Sequence, residues 1–125
     1  MLISIEGCIG AGKSTVARGL AASRGSQLLL EDFEANPFLR AFYEDPVGNA
    51  IETEFTFLFL HFHQLKSVRA AAFDSEVIAD FHLGKDLLYA NMNLSRHPLR
   101  LVFGELYDYC VRETPIPRPH GVPIG

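Results

Sequence analysis

Short apolar runs alternate with amphipathic stretches along most of this chain. Leu2–Ile5, Gln27–Leu30 and Glu76–Ala79 are rich in branched or aliphatic residues and have the length of strands. Segments of helical spacing lie between and after them, which is the βαβ alternation of a parallel sheet. From about Lys13 to Ser23, Val16, Ala17, Leu20 and Ala21 fall on one helical face, and Gly25 follows as a stop. Asn36-Pro37 marks a turn, and a short helix is expected over Phe38–Tyr43.

A longer helix is predicted from roughly Ala50 to Ala72, after a break at Asp45-Pro46-Val47-Gly48-Asn49. Asn49 with Glu52 resembles a capping box. Phe55, Leu58, Phe59, Phe62 and Leu65 keep helical spacing there, and Phe57 and Leu60 widen the stripe beyond one face. A helix so apolar is buried, lines a pocket or pairs with a second subunit. Two more helices are expected, Leu87–Leu94 and Pro98–Val111. Residues 114–125 hold four prolines and two glycines without apolar periodicity. They are predicted to form an irregular tail beyond a domain spanning 1–113. The expected fold class is α/β, a parallel sheet with flanking helices and three recognisable strands.

Composition narrows the function only by exclusion. With 125 residues the chain suits one modest core, and 48% hydrophobic with 21% charged residues is ordinary for a globular domain. A net charge of −4 argues against a general nucleic-acid surface. No apolar run is long enough to span a bilayer. Strand-like sequence follows Met1 at once, so the expectation is no leader and a cytoplasmic location. Two cysteines far apart form neither a disulfide framework nor a zinc site.

The chemistry enters at Gly7-Cys8-Ile9-Gly10-Ala11-Gly12-Lys13-Ser14, which spells GxxxxGK[ST] between the first strand and the first helix. Glycines let backbone N–H groups turn inward as a nest for phosphate oxygens, and the helix start adds its positive dipole end. In this pattern Lys13 reaches the β- and γ-phosphates and the Ser14 hydroxyl ligates Mg²⁺. The pattern therefore predicts a nucleoside triphosphate and Mg²⁺, with Thr15 closing the phosphate-binding run. Ligands of open parallel sheets bind beyond the carboxyl ends of the strands. Strand two ends in Glu31-Asp32 and strand three in Asp80. Phosphoryl transfer to a hydroxyl needs a base near the acceptor and a cation near the donor phosphates. Glu31 is placed for the first role, and Asp80 for support of Mg²⁺ at one remove. An exposed acid closing a strand is the plainer alternative for each. His61 and His63 are two apart on a helix and cannot share one metal ion. Cys8 reads as a loop filler and Cys110 as a core residue.

No guanine-reading NKxD segment and no LSGGQ-like signature occurs, which leaves small-molecule kinases. Residues 5–15 (IEGCIGAGKST) resemble the opening of the deoxynucleoside kinase family. So do residues 30–39 (LEDFEANPFL) and 42–46 (FYEDP). Residues 78–90 (IADFHLGKDLLYA) are similar to the bacterial deoxyguanosine/deoxyadenosine kinase branch. These segments stand in family order over residues 1 to about 110.

The resemblance implies ATP-dependent phosphorylation of the 5′-hydroxyl of a purine deoxynucleoside, deoxyguanosine favoured, in nucleotide salvage. It makes Glu31 the general base and Tyr43 the contact to the sugar 3′-hydroxyl. It puts Glu54 where a side chain reads the base edge, and a carboxylate there could accept from guanine N1–H and the 2-amino group. Phe57 and Phe38 could wall the base, though core packing explains them equally well. Asp80, His61, Lys85 and Asp86 complete the expected substrate contacts, and a homodimer through the long helix is expected.

The chain departs from the family pattern in three places. Asp80-Phe81-His82 stands where many members have Asp/Glu-Arg-Ser, so Lys85 is expected to supply positive charge instead, with Asp86 nearby. His61 stands where an arginine is frequent. The expected lid arginines and adenine-binding loop are not in this sequence, which reads as a truncated or frameshifted product, or as a fragment. Two alternatives follow: a thymidylate-type nucleoside monophosphate kinase, which would want arginine rather than carboxylate at its acceptor, or a catalytically impaired nucleotide-binding module.

Overall fold

Three expected strands form, and a fourth joins them. In the computed structural model, which describes residues 1–6, 12–69, 75–114 and 117–121, β1 is Leu2–Glu6, β2 Gln27–Leu29, β3 Val77–Ala79 and β4 Pro117–Gly121. All pairings are parallel and the order is β2-β3-β1-β4. Leu2 aligns with Val77 and Ser4 with Ala79, while Leu29 also aligns with Ala79. β2 and β3 therefore finish level, and the residues just beyond them come out at one edge.

The fourth strand corrects the expectation of an irregular tail. Among the described residues β4 lies at the edge of the sheet, paired only through β1. Prolines are excluded from central strands because they lack an N–H, but an edge strand has one unpaired side. Pro117 and Pro119 are two apart, so their nitrogens face the same side, and Arg118 and His120 keep their N–H groups for the other. The tail could hold a strand because only half of its donors were required.

The chain divides into two compact units. The first comprises Met1–Glu31, Gln64–His82 and Pro115–Gly125. It holds the sheet and α1, Lys13–Arg24. Ala17 and Ala21 of α1 pack on Ile5 and Ile78, with Ile3, Val16, Leu20, Leu28 and Leu30 around them. Small residues one turn apart let the helix approach the strands closely. Gly25 has φ 64°, the left-handed conformation that ends α1, and its N–H bonds to the Ala21 carbonyl. Arg24 then bridges to Glu76 (Nε–Oε1 2.5 Å), which also accepts from Ser26. These bonds fasten the end of α1 to the entry of β3.

The second unit comprises Asp32–His63 and Leu83–Thr114. It holds a 3₁₀ turn at Phe33–Ala35, α2 (Leu39–Glu44), most of α3 (Pro46–Ser67), α4 (Leu83–Asn93) and α5 (Arg100–Arg112). Helix α3 starts four residues before its expected position. Pro46 occupies its first turn, where a missing N–H is harmless, and Asp45 Oδ1 accepts from Gly48 N–H at 3.1 Å. The capping box at Asn49 and Glu52 is thereby overturned. Asn49 lies inside the helix and donates to the Ala41 and Asp45 carbonyls. Helix α4 also starts a turn early, because Leu83, Asp86 and Ala90 extend its buried face. Phe55 meets Phe103 edge-on at 5.2 Å and Phe62 meets Tyr109 at 6.1 Å, so α3 packs its aromatic stripe on α5. Cys110 is buried on α5, as expected.

Candidate active site

Of the phosphate-loop residues, Gly7, Cys8, Ile9, Gly10 and Ala11 lie outside the described residues, and Gly12, Lys13, Ser14 and Thr15 are described. Gly12 has φ 77°, a conformation that a side chain would strain, and α1 begins directly after it. No side chain caps this helix start and no acidic residue occupies its first turn. The first N–H groups and the dipole of a helix so started suit an anion. Lys13 and Ser14 are half-buried on that first turn.

Glu31 follows β2, and the peptide that carries it is held from both sides. The Leu30 carbonyl accepts from Gln64 Nε2 at 2.8 Å. The Glu31 N–H donates to Asp80 Oδ1 at 2.7 Å. Both groups belong to one peptide plane, so two side chains fix the orientation from which the Glu31 carboxyl departs. Asp80 itself is positioned by its own N–H on the Leu29 carbonyl, the last rung between β3 and β2. Burial pushes the Asp80 carboxyl above its ordinary range, with the charge of Glu31 adding to the rise. The Glu31 N–H and the charge of Lys13 oppose it. Lys13, Glu31 and Asp80 thus form one electrostatic group at the carboxyl edge of the sheet.

The donor set fits Mg²⁺. A serine hydroxyl and a carboxylate are hard oxygen ligands. Among the described residues no group of three or more His, Cys, Asp or Glu could hold a metal ion. A cation here would keep water and phosphate oxygens as most of its ligands, the arrangement Mg²⁺ usually takes.

The second unit assembles another group. Helix α3 presents Glu54 and His61, seven residues apart, and α4 presents Asp86 and Asn93, also seven apart. They pair crosswise. His61 Nδ1 meets Asp86 Oδ2 at 2.7 Å, the ring N–H donating to the carboxylate, and Asn93 Nδ2 donates to Glu54 Oε1 at 2.9 Å. The two helices therefore run antiparallel here, joined by two polar rungs about 10 Å apart. Glu54 is only 4% exposed. Burial pushes its carboxyl up, the Asn93 amide pulls it down, and the Asp86 charge pushes it up again. Phe57 stacks on His61 at 5.6 Å and takes Phe33 edge-on at 6.3 Å, which makes it part of this group.

Other expected residues stand apart. Tyr43 is 72% exposed on α2, beside Phe42. Phe38 is exposed before α2. Lys85 is half-buried in the first turn of α4. Phe81, standing where an arginine was looked for, is buried. Gln64 and Asn93 were missed by the sequence reading. The signal was present as spacing, since Gln64 is a polar residue three beyond His61 on an apolar helix and Asn93 is seven beyond Asp86.

The family model for deoxynucleoside kinase matches residues 3–115. Over 117 residues the chain is 34% identical to a deoxyguanosine kinase of Bacillus subtilis (strain 168), covering 92% of this chain and 56% of that protein. A deoxyadenosine kinase structure from M. mycoides with bound dATP superposes with a TM-score of 0.78 at 23% identity, over 100% of this chain and 65% of that one. Another structure of deoxyadenosine kinase from M. mycoides, with products dCMP and a flexible dCDP bound, gives 0.71 at 26% identity, over 86% and 57%. The chain spans about half the length of the curated relatives it matches.

Proposed function

The chain belongs to the deoxynucleoside kinase family, and from that premise we propose that it serves the ATP-dependent phosphorylation of a purine deoxynucleoside at its 5′-hydroxyl, in salvage. The observation that carries this reading is the Glu31 peptide clamped between Gln64 and Asp80 beside Lys13. A carboxyl on a fixed peptide at a strand end, beside an acid that feels the Lys13 charge, matches a base beside a phosphate site.

In this reading Glu31 takes the proton of the 5′-hydroxyl as its oxygen attacks the γ-phosphorus. The bond to the β-γ bridging oxygen breaks, and ADP leaves with that electron pair. Lys13 and the first N–H groups of α1 hold the phosphates. Mg²⁺, when bound, offsets the negative charge of the phosphate oxygens, with Ser14 as its ligand and Asp80 in support. Tyr43 meets the sugar 3′-hydroxyl. Glu54, Phe57, His61 and Asp86 serve the base, Glu54 favouring guanine, and Lys85 supplies positive charge in place of the arginine absent after Asp80. Phe59, 47% exposed on α3, supports pairing with a second copy.

A coupled assay with Mg·ATP across the four deoxynucleosides and dTMP tests the proposal. Turnover is expected on deoxyguanosine first, falling by about 10²–10⁴ in kcat with Glu31→Gln. Preference for dTMP would overturn the choice of acceptor. ATP binding without turnover on any acceptor would favour the impaired module.

A further inference from the structure

The two rungs between α3 and α4 are chemically unequal. His61 and Asp86 form a buried acid–base pair. Glu54 is equally buried, yet the charge that bears on it, Asp86, has the same sign. A buried carboxylate in that position drifts towards its neutral form unless a donor holds its oxygens. The donor in place is Asn93, from the last turn of α4.

The protonation state of Glu54 decides what it can read. An ionised carboxylate only accepts hydrogen bonds, whereas a carboxylic acid presents one donor and one acceptor. Guanine offers two adjacent donors, N1–H and the 2-amino group. Adenine offers a bare N1 lone pair beside its 6-amino group. A carboxylate therefore complements guanine and sets acceptor against acceptor at adenine N1. A neutral acid tolerates both bases. Discrimination comes mainly from the repulsion, which is lost on protonation.

We propose that Asn93 is a specificity-determining positioning residue, whose amide holds Glu54 as the carboxylate that accepts guanine and rejects adenine. This rests on the base-reading role given to Glu54 above. The groups acting on Glu54 are Asp86 of α4 and the Asn93 amide. His61 acts indirectly through Asp86, and Tyr107 of α5 feels Asp86 as well.

The test is calorimetric binding of deoxyguanosine and deoxyadenosine to the chain, from acid to mildly alkaline pH, for the parent and for Asn93→Ala, Asn93→Gln and Glu54→Gln. Asn93 is itself exposed, so its replacement leaves the buried core intact. Asn93→Ala is expected to narrow the guanine preference about tenfold. It should also move the pH at which preference disappears upward. Asn93→Gln, which keeps the amide donor, should restore part of both. A preference and pH profile unchanged in Asn93→Ala, while Glu54→Gln narrows the preference, would overturn the role of Asn93 and leave the base reading standing. Equal weakening of both nucleosides by Asn93→Ala would show a merely structural bond and overturn it too. An unchanged preference in Glu54→Gln would instead overturn the base reading itself.

Discussion

The sheet unit and the helical unit place their functional candidates by different physics. In the sheet unit, Lys13, Glu31 and Asp80 sit at the ends of elements, where backbone geometry directs them. Their neighbours are peptide groups, a strand rung and a helix start. In the helical unit, Glu54, His61, Asp86 and Asn93 sit within helices and are placed by one another. The two groups of candidates therefore differ in what a substitution beside them disturbs.

The sharpest contrast lies in the two ion pairs. His61–Asp86 is buried on both sides, with side chains 6% and 7% exposed, while Arg24 of the sheet unit is 49% exposed against Glu76. His61→Leu removes a partner from a buried carboxylate and should lower stability by about 3–5 kcal/mol in urea unfolding. Arg24→Ala should barely move the midpoint, since half-solvated pairs contribute little. Equal losses would remove the distinction between the units.

A smaller effect is expected at the Glu31 peptide. Gln64→Leu strands the Leu30 carbonyl and should cost about 1–3 kcal/mol. Amide exchange at Glu31 should quicken in Asp80→Ala, while amides of β1 keep their protection. Exchange unchanged at Glu31 would mean that the peptide is not held by this clamp.

Glu54 of the helical unit and Glu76 of the sheet unit contribute pH dependence of opposite sign. Glu54 has a raised carboxyl, so its burial brings no penalty below the unfolded carboxylate pKa. The penalty grows as pH rises through its folded value and is complete above it. Glu54→Gln should therefore gain stability over the parent at neutral pH and match it in acid. Glu76 behaves oppositely. Arg24 and then Ser26 hold it down at about 2. Its small contribution is full above the ordinary carboxylate pKa and fades as pH falls towards 2. Glu76→Gln should flatten that acid limb slightly in a thermal melt.

Much of the sheet unit was legible in the residues because its cues are local. A strand end, a glycine turn and a helix start occupy a few consecutive positions, so Lys13, Glu31 and Asp80 could be placed by counting. The start of α3 was equally local but misread. Asp45-Pro46 carried a stronger start signal than Asn49, and Gly48 obscured it. The edge strand at Pro117–Gly121 was hidden because proline content argues against strands until a neighbour on one side is known.

By itself, then, the chain determined the alternation of strands and helices, the phosphate-binding pattern and the acids at the strand ends. Only the tertiary structure decided that Gln64 and Asp80 grip one peptide, and that Glu54 and His61 find Asn93 and Asp86. Helical spacing says which residues share a face, but not which face of another helix arrives opposite. That register depends on packing between segments distant in sequence, and it is where buried charge acquires its partner.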